Sequence, residues 1–308
     1  MCDTSSGEAK LFAEESIDRG KLSAFSFASR KEPEFMCHRL VQCPTCDLVY
    51  VDQPPSADEL AHAYHVAQFD SAEEAGDAAT AYVQALEPTL HKLARRQTAL
   101  EIGAGTGIFL EHLSRAGFSE LVGVEPSPAA IAAAPPHRRN WLRATIFHEL
   151  DFAPASLDLI CCFMTMEHVH DPRAIAQAAF RLLRPGGAFV TVTHDYRSLV
   201  NRVLGKRSPI IDIEHMQLFS RRSMRHLFTT SGYANVTVDP FVNRYALRYW
   251  LRLTPLPRGL KHGLLALLGS LHADRIKIGV NVGNLISAGF KDAPALPAGS
   301  GNATGVAA

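Results

Sequence analysis

The feature that most constrains this chain is an apolar strand that runs into a glycine-rich turn and then a helix, Leu100-Glu-Ile-Gly-Ala-Gly-Thr-Gly107. Glycine lets the backbone approach a ligand closely and adopt conformations that other residues avoid. The spacing G-x-G-x-G fails the G-x-G-x-x-G test for a dinucleotide site, because the sixth positions counted from the first two glycines are Ile108 and Leu110. The turn also lacks the Lys-Ser/Thr ending of a P-loop.

Strands and helices alternate around this turn, which predicts an α/β fold with a parallel sheet covered on both faces. We expect strands at 99–103, 121–125, 141–147, 157–163 and 187–194, and helices at 78–96, 107–116, 128–134 and 172–183. Further along, we expect a helix at 221–231, a strand at 233–241, helical segments at 242–253 and 259–271, and a long strand or strand pair at 276–291.

Composition divides the chain into an N-terminal segment, a main domain and a tail. The segment 1–76 carries cysteines and a helix that the capping-box pair Ser56 and Glu59 opens. The main domain is expected over 77–291, with an irregular basic insertion at 196–219 and helices within 242–271. The tail 292–308 is rich in Pro, Gly and Ala, which predicts disorder.

The N-terminus, the lengths of the apolar runs and the cysteines indicate the cellular compartment. The N-terminus lacks the basic and apolar regions of a secretory signal, and no apolar run approaches the roughly 20 residues that span a bilayer. Cys161 and Cys162 are adjacent in an apolar strand, so their side chains point to opposite faces and a mutual disulfide is not expected. These observations predict a cytoplasmic protein.

The formal net charge is zero, with 31 Lys and Arg against 31 Asp and Glu. This sum hides a gradient, because residues 1–90 carry 6 basic and 16 acidic side chains and residues 196–308 carry 15 and 5. Overall neutrality argues against a protein held to nucleic acid by bulk charge. The gradient indicates that the parts of the chain do different jobs.

Glu125 ends the strand that follows the glycine turn, near the interval at which an acidic residue meets ribose hydroxyls in nucleotide-binding α/β folds. A carboxylate accepts hydrogen bonds from both hydroxyls at once. The alternative is a surface glutamate at a strand end beside Pro126. The position after the glycine turn favours ribose binding.

Several segments in order resemble the motifs of class I S-adenosylmethionine-dependent methyltransferases: E-I-G-A-G-T-G, G-V-E-P-S, S-L-D-L-I, M-E-H-V-H-D-P and L-L-R-P-G-G-A-F, over residues 97–194. The later I-E-H-M-Q-L-F-S and S-G-Y-A resemble a subgroup with an H-x-x-x-F-S motif and an N-terminal Cys-x-x-Cys segment, here Cys43-Pro-Thr-Cys46. The resemblance implies a Rossmann-like, seven-stranded, mostly parallel sheet with helices on both faces. It also implies a small Cys-bearing segment which, with the insertion at 196–219, forms a cap over the methyl acceptor.

The resemblance further implies which residues hold S-adenosylmethionine. The glycine loop would bend around the methionine and ribose portion, Glu101 would lie near the ammonium group, and Glu125 would bind the ribose hydroxyls. An acidic residue that relatives place near the adenine is replaced by Ile146 and Phe147, so an apolar contact from Phe147 is expected. The complete expected set is Glu101, Gly103, Ala104, Gly105, Gly107, Glu125, Pro126, Ser127, Phe147 and Met164.

A hydroxyl or amine acceptor can need a base to remove its proton, and histidine titrates near neutrality. His168 follows the fourth strand, His194 ends the fifth, and His215 lies in the basic insertion. Glu167 is expected either to act as the base or to orient a histidine. For each histidine the alternative is a hydrogen-bonded structural role. His168 is the first choice for direct catalysis.

One Cys-x-x-Cys pair supplies two thiolates, whereas a structural zinc site usually needs four ligands. Cys37 lies near Cys43 and Cys46, but a second Cys-x-x-Cys pair is missing. A metal-free segment is therefore favoured over bound zinc.

The basic final third leaves the nature of the acceptor open. Arg244, Arg248 and Arg252 recur every fourth residue, which predicts a shared helix face. Peripheral membrane contact through 242–271, a pocket wall that binds an anionic group, and an ordinary solvated helix all fit this pattern. We expect methyl transfer to a small-molecule or sugar-type acceptor at oxygen, with the acceptor or its carrier surface anionic. The rivals are a non-catalytic S-adenosylmethionine-binding regulator or scaffold and a methyltransferase for lipid-linked or nucleic-acid acceptors. No nucleic-acid-binding module is recognised, so a nucleic-acid partner is not expected.

Overall fold

The computed structural model describes residues 6–23, 26–27, 34–68, 72–254 and 256–292. Their strands are β1 Lys10–Ala13, β2 Leu40–Gln42, β3 Val49–Val51, β4 Thr98–Ile102, β5 Glu120–Val124, β6 Leu142–Arg143, β7 Leu157–Phe163, β8 Leu183–His194, β9 Gln217–Leu218, β10 Ala234–Ala246 and β11 Lys277–Phe290. Their α-helices are α1 Ala57–Val66, α2 Ala72–Leu90, α3 Ile108–Arg115, α4 Pro128–Ala133, α5 Pro136–Arg139, α6 Pro172–Leu182, α7 Leu199–Leu204, α8 Arg221–Thr230, α9 Leu247–Leu253 and α10 Arg258–Ser270.

The main sheet has seven strands in the order β10-β11-β8-β7-β4-β5-β6. The five strands from β8 to β6 are parallel to their neighbours, whereas β11 is antiparallel to β8 and β10 is antiparallel to β11. This arrangement confirms the predicted α/β class and the seven-stranded, mostly parallel sheet. Parallel strands place their carboxyl ends at one edge, which is where ligands bind in open α/β sheets.

Helices cover both faces of this sheet. In β7 every residue is buried, and alternate side chains enter two different cores. Ile160 and Cys162 pack with residues of α6 and α8, while Leu159 and Phe163 pack with residues of α2 and α3. Cys161 and Cys162 are not in a disulfide, as expected.

A second, four-stranded sheet joins the N-terminal segment to the 196–219 insertion, in the order β1-β2-β3-β9. The Cys-x-x-Cys sequence forms the turn between β2 and β3, where Asp47 N–H donates to the Cys43 carbonyl at 3.0 Å. β9 pairs with β3 through Val49 and Leu218. The predicted capping box of Ser56 and Glu59 opens α1.

Several predicted boundaries in the main domain were wrong. Residues 242–246 continue β10, in which residues 243–246 pair with Lys277–Val280 of β11, so a helix begins only at Leu247. Arg244 is therefore on a strand and shares no helix face with Arg248 and Arg252.

Other elements also differ in length from the prediction. The strand expected at 141–147 contains only β6, and the insertion contains α7 and β9 as well as irregular chain. The helix expected at 78–96 ends at Leu90, whose carbonyl accepts a hydrogen bond from Arg96 Nη2 at 2.7 Å. The closing segment is one long strand, β11.

The expected boundary between residues 76 and 77 falls inside α2. The predicted disordered tail lies, apart from Asp292, outside the described residues. Within the described part of the chain, no helix combines the length and apolar character needed to cross a bilayer.

Candidate active site

A cavity of about 640 Å³ opens at the carboxyl ends of the parallel strands. Its floor comes from the chain that follows β4, β5, β7 and β8, and its roof includes residues of α1 and of the 196–219 insertion. Of the residues predicted to contact cofactor or acceptor, it brings together Glu101, Gly103, Ala104, Gly105, Glu125, Pro126, Ser127, Phe147, Met164, His168 and His194. Gly107, Glu167 and His215 are not among its lining residues.

The glycine turn is shaped by left-handed backbone conformations. Gly103 has φ of 77°, and a Cβ there would lie 2.2 Å from Thr165 Oγ1, so a side chain does not fit. Gly105 has φ of 54° and open space where a Cβ would be. Gly107 precedes α3, and its neighbour is Leu142 rather than the cavity. The first two glycines thus shape the cavity wall, while Gly107 turns the chain into the helix.

The Glu125 carboxylate ties the glycine turn to the next strand. Its Oε2 accepts a hydrogen bond from Gly105 N–H, and its Oε1 accepts one from Ser127 N–H, both at 2.8 Å. Burial raises the pKa of Glu125, although these two backbone donors oppose the rise. Each oxygen retains accepting capacity toward the cavity, which suits a pair of ligand hydroxyls.

The remaining predicted cofactor contacts form the edges of the same region. Glu101 is 5% exposed at the end of β4. Phe147 stacks on Phe152 with ring centroids 6.1 Å apart and presents an apolar surface to the cavity. Ser127 caps α4 by accepting from Ala130 N–H. Met164 has φ of 50°, a conformation that non-glycine residues rarely adopt.

Three histidines converge on the other side of the cavity. The ring centroid of His215 lies 4.9 Å from that of His168 and 5.5 Å from that of His194. His168 and His194 line the cavity, whereas His215 is 7% exposed behind them. The Nδ1 atom of His215 lies 2.8 Å from the Ile210 carbonyl. His215 therefore lies behind the cavity wall, with its ring close to the other two.

Glu167 is fully buried and contacts His194. Its Oε1 accepts a hydrogen bond from the His194 backbone N–H at 2.7 Å and lies 3.2 Å from His194 Nδ1. Glu167 does not reach the cavity; its hydrogen bond holds the His194 backbone, and its 3.2 Å approach to Nδ1 lacks hydrogen-bond geometry.

The proton positions on His168 follow from its partners. Tyr64 donates its hydroxyl proton to the Glu214 carbonyl at 3.3 Å, and the His168 Nδ1 atom lies 2.9 Å from the Tyr64 oxygen and 3.1 Å from that same carbonyl. Burial, with Glu214 and Asp212 nearby, raises the pKa of Tyr64, so the phenol stays protonated. Because the Glu214 carbonyl can only accept, a proton on His168 Nδ1 satisfies this contact and would leave Nε2 as the basic nitrogen, whereas the Tyr64 contact fits either tautomer.

Two groups of residues could be considered for metal binding. His168, Glu214 and His215 offer ligand atoms that all lie within 4.8 Å of one another, an arrangement that sequence reasoning did not predict. The cysteines do not form such a group among the described residues. Cys37 packs in a different core from Cys43 and Cys46, and its thiol lies 3.8 Å from the Glu14 carbonyl, to which it donates.

Sequence reasoning missed several lining residues because they come from outside the motifs. Tyr64 is on α1, about a hundred positions from His168, and Asn243, Tyr249 and Trp250 belong to the segment that was assigned to a basic helix. No local pattern in these segments points to a cavity. The pairing of β10 with β11 carries Asn243 there, and α9, which follows β10 directly, carries Tyr249 and Trp250.

A family model described as a methyltransferase domain matches residues 71–238, more than half of the 308 residues. The ubiquinone biosynthesis O-methyltransferase of Pectobacterium carotovorum subsp. carotovorum (strain PC1) is 25% identical over 194 residues, which are 59% of this chain and 71% of the relative. The protein of the same description from Cupriavidus pinatubonensis (strain JMP 134 / LMG 1197) is 33% identical over 111 residues, 34% of this chain and 42% of the relative. Among solved structures, a SAM-dependent methyltransferase of Thermotoga maritima, titled a possible histamine N-methyltransferase, has 21% identity and a TM-score of 0.47, covering 70% of this chain and 89% of its own.

Proposed function

Because this chain belongs to the family of methyltransferase domains, we propose that it transfers a methyl group from S-adenosylmethionine to an oxygen atom of a small-molecule acceptor. The observation that carries the proposal is that one cavity joins the glycine turn and Glu125 to the two histidines, His168 and His194. Relatives described as O-methyltransferases support oxygen as the target. Membership in an enzyme family also argues against the non-catalytic alternative.

The cavity fits the cofactor in shape and in donor chemistry. At Gly105 a Cβ would meet open space, so glycine there leaves room beside the backbone that a side chain would fill. Glu125 would accept from the ribose hydroxyls, Glu101 would offset the ammonium charge, and Phe147 would contact the adenine. Pro126, Ser127, Ala104 and Met164 complete this region. When bound, S-adenosylmethionine supplies a methyl group on a positively charged sulfur, which an acceptor oxygen can attack.

His168 is the residue that we assign as the base. Its Nε2 removes the proton from the hydroxyl of the methyl acceptor, while Nδ1–H stays hydrogen-bonded to the Tyr64 oxygen and the Glu214 carbonyl. His194, whose backbone N–H donates to Glu167, lines the same cavity and contributes to placing the acceptor. Much of the rate enhancement then comes from alignment and from excluding water.

The cap, formed by α1 and the 196–219 insertion, excludes water from the cavity. α1 contributes Leu60 and Tyr64 to the cavity, and the insertion contributes Pro209 and Glu214. The I-E-H-M-Q-L-F-S sequence contains β9, which pairs with the strand after the Cys-x-x-Cys turn. This pairing supports the proposed cap. It also supports membership in the subgroup that has both the H-x-x-x-F-S motif and the Cys-x-x-Cys segment.

The function is tested by incubating the protein with S-adenosylmethionine and a panel of hydroxyl-bearing small molecules, and searching by mass spectrometry for the gain of one methyl group. With the acceptor found, His168→Ala should lower kcat about 100-fold and leave cofactor affinity nearly unchanged. His194→Ala should have a smaller effect, and the exposed His91→Ala serves as the control. Equal activity of His168→Ala and the wild type would remove His168 from the mechanism.

We also propose that Cys37, Cys43 and Cys46 hold no zinc. Burial raises the pKa of the Cys37 thiol, although its hydrogen bond with Ser16 opposes the rise, which disfavours the thiolate that zinc requires. Metal analysis of chelator-washed protein tests this, and one equivalent of zinc would overturn it.

The absence of disulfides among the five described cysteines supports a cytoplasmic location, which cell fractionation tests.

A further inference from the structure

Two asparagine side chains line the cavity with oxygens that no other described group satisfies. Asn243 on β10 is 2% exposed and Asn284 on β11 is 3% exposed. The Oδ1 atom of each is buried without a hydrogen-bond partner among the described residues. Buried polar groups are nearly always hydrogen-bonded, so each exception calls for an explanation. Two such oxygens at one cavity indicate that a bound molecule supplies the donors.

The sheet places both asparagines on the acceptor side of the cavity. Asn284 lies directly opposite His194 in the antiparallel pairing of β11 with β8. Residues so paired have side chains on the same face, about 5 Å apart at Cβ. The register between β10 and β11 shifts between Phe241 and Asn243, and such irregularities re-aim side chains. Accordingly Val242 is 49% exposed while Asn243 is buried.

An aromatic wall adjoins these asparagines. Tyr245, Tyr249 and Trp250 line the cavity and contact one another, with centroid separations of 4.5 Å, 5.2 Å and 5.8 Å. A cluster of this kind offers aromatic faces and edges to a planar ring.

The charges at the cavity disfavour an anionic acceptor. Among the described lining residues, five carry carboxylates and none is Lys or Arg; the five are Glu101, Glu125, Asp171, Asp212 and Glu214. A phosphate or carboxylate would enter this acidic field without a lysine or arginine side chain to pair with it, at a cost in desolvation and repulsion. The basic side chains of the final third lie elsewhere.

We propose that Asn243 and Asn284 bind the hydroxyl groups of an uncharged, ring-containing acceptor whose ring packs against Tyr245, Tyr249 and Trp250. This inference rests on the proposed methyl transfer, because it names the acceptor class for the same site. It replaces the expectation of an anionic acceptor that the charge gradient suggested.

The test compares small probes by calorimetry on the full chain saturated with S-adenosylhomocysteine. Catechol carries ring and hydroxyl donors, 1,2-dimethoxybenzene keeps the ring and loses the donors, and 3,4-dihydroxybenzoate adds a negative charge. We expect catechol to bind and each of the other two to bind at least about 10-fold more weakly. This comparison needs no variant, so it holds even if a substitution impairs folding.

The variants then identify the binding residues. Asn243→Leu and Asn284→Leu should each weaken catechol binding about 5- to 10-fold, with S-adenosylhomocysteine affinity unchanged. Ser287→Ala is the matched control, because Ser287 also has a buried oxygen without a described partner on β11 but does not line the cavity. It should leave catechol binding as in the wild type.

The outcomes separate this inference from the function on which it rests. If S-adenosylhomocysteine binds but catechol does not, or if 3,4-dihydroxybenzoate binds more tightly than catechol, the inference is wrong and the function stands. If folded leucine variants bind catechol like the wild type, the assignment of the two asparagines is overturned. Failure of the native protein to bind S-adenosylhomocysteine would overturn the proposed function itself.

Discussion

At the scale of single residues, Glu125 carries a cost in stability at the cavity where we propose that it binds the cofactor. Burial raises its pKa, so the ionised carboxylate is less favourable in the folded chain than in the unfolded one. Its contribution to stability is therefore greatest below the ordinary pKa of glutamate and is lost as the pH rises through the folded-state pKa. Ligand sites commonly keep such unfavourable groups because the bound state needs them.

We expect Glu125→Gln to weaken S-adenosylhomocysteine binding about 10- to 100-fold, since hydrogen bonds from ribose hydroxyls to a charged acceptor are lost. Without ligand, the free energy of unfolding of the variant minus that of the wild type should be larger at about pH 7 than at about pH 5, because only the wild type loses stability when Glu125 ionises. Calorimetry and chemical denaturation measure the two effects. Glu120→Gln, at an exposed position on β5, should change neither, and unaltered affinity in Glu125→Gln would exclude the ribose contact.

The residues of the cofactor region could be predicted because short, ordered motifs carry them. Gly103 directly follows β4 and Glu125 directly follows β5, so the local sequence is enough to place both at the carboxyl edge of the sheet. Tyr64, Asn243 and Asn284 could not be predicted in the same way. Each reaches the cavity only through tertiary pairing, and each belongs to a segment whose local pattern is that of an ordinary helix or strand.

At the scale of elements, one turn fastens the N-terminal segment to the insertion. Asp47, in the turn between β2 and β3, has φ of 67° and accepts hydrogen bonds from Arg197, Ser220 and Gln42. Burial raises the pKa of Asp47, but the hydrogen bonds from Arg197 and Ser220 lower it more, and the pKa is about 2. Through Asp47, the Cys-x-x-Cys turn thus has a structural role.

We expect Asp47→Asn to lower the free energy of unfolding by ~2 kcal/mol near neutral pH, because charged hydrogen bonds to a buried group are lost. A depressed pKa stabilises the fold above the ordinary value of 3.8, and this stabilisation disappears as the pH falls toward about 2. Denaturant titrations between about pH 7 and pH 3 should therefore show the difference shrinking below about pH 4. Asp52→Asn, which breaks a more exposed pair with Arg39, should cost under ~1 kcal/mol at every pH. A pH-independent difference for Asp47→Asn would contradict this explanation.

The helices α9 and α10 are the elements whose role the sequence left most open. α9 has no buried residue, no described side chain of α10 is buried, and Leu260, Leu267 and Leu271 are 53%, 54% and 67% exposed. Arg248 contacts Asp274 at 3.6 Å and Arg252 lies over the Tyr249 ring, so these arginines are engaged within the chain. Apolar side chains are therefore the better candidates for contact with a membrane surface.

We expect the protein to float with vesicles that contain anionic lipid at low salt, and the triple variant Leu260→Ser, Leu267→Ser and Leu271→Ser to remain in the soluble fraction. A matched triple change to Met keeps the apolar surface and should preserve binding. If the wild type does not float under these conditions, α10 has no role at membranes.

At the scale of the whole molecule, the gradient of charge along the sequence has a structural meaning. The acidic first part and the basic last part meet in space, since Asp47 pairs with Arg197 and Lys277 Nζ on β11 lies 2.5 Å from Asp77 Oδ1 on α2. The structure thus uses part of the gradient to join distant segments. The charge gradient along the sequence can therefore be explained by these ion pairs, without a positive field that attracts an anionic acceptor.

The Asp77–Lys277 pair offers the sharpest test of this interpretation, because it links α2 to the strand that carries Asn284. The Lys277 side chain is 58% exposed and that of Asp77 is 12% exposed, so solvent screens the pair only in part. A double-mutant cycle with Asp77→Asn and Lys277→Met should give a coupling energy of ~0.5–1 kcal/mol in low salt that falls toward zero near 1 M NaCl. The same cycle on Glu87 and His91, an exposed pair within one part of the chain, should give less coupling. Zero coupling at low salt would mean that the two charged parts of the chain adjoin without stabilising each other.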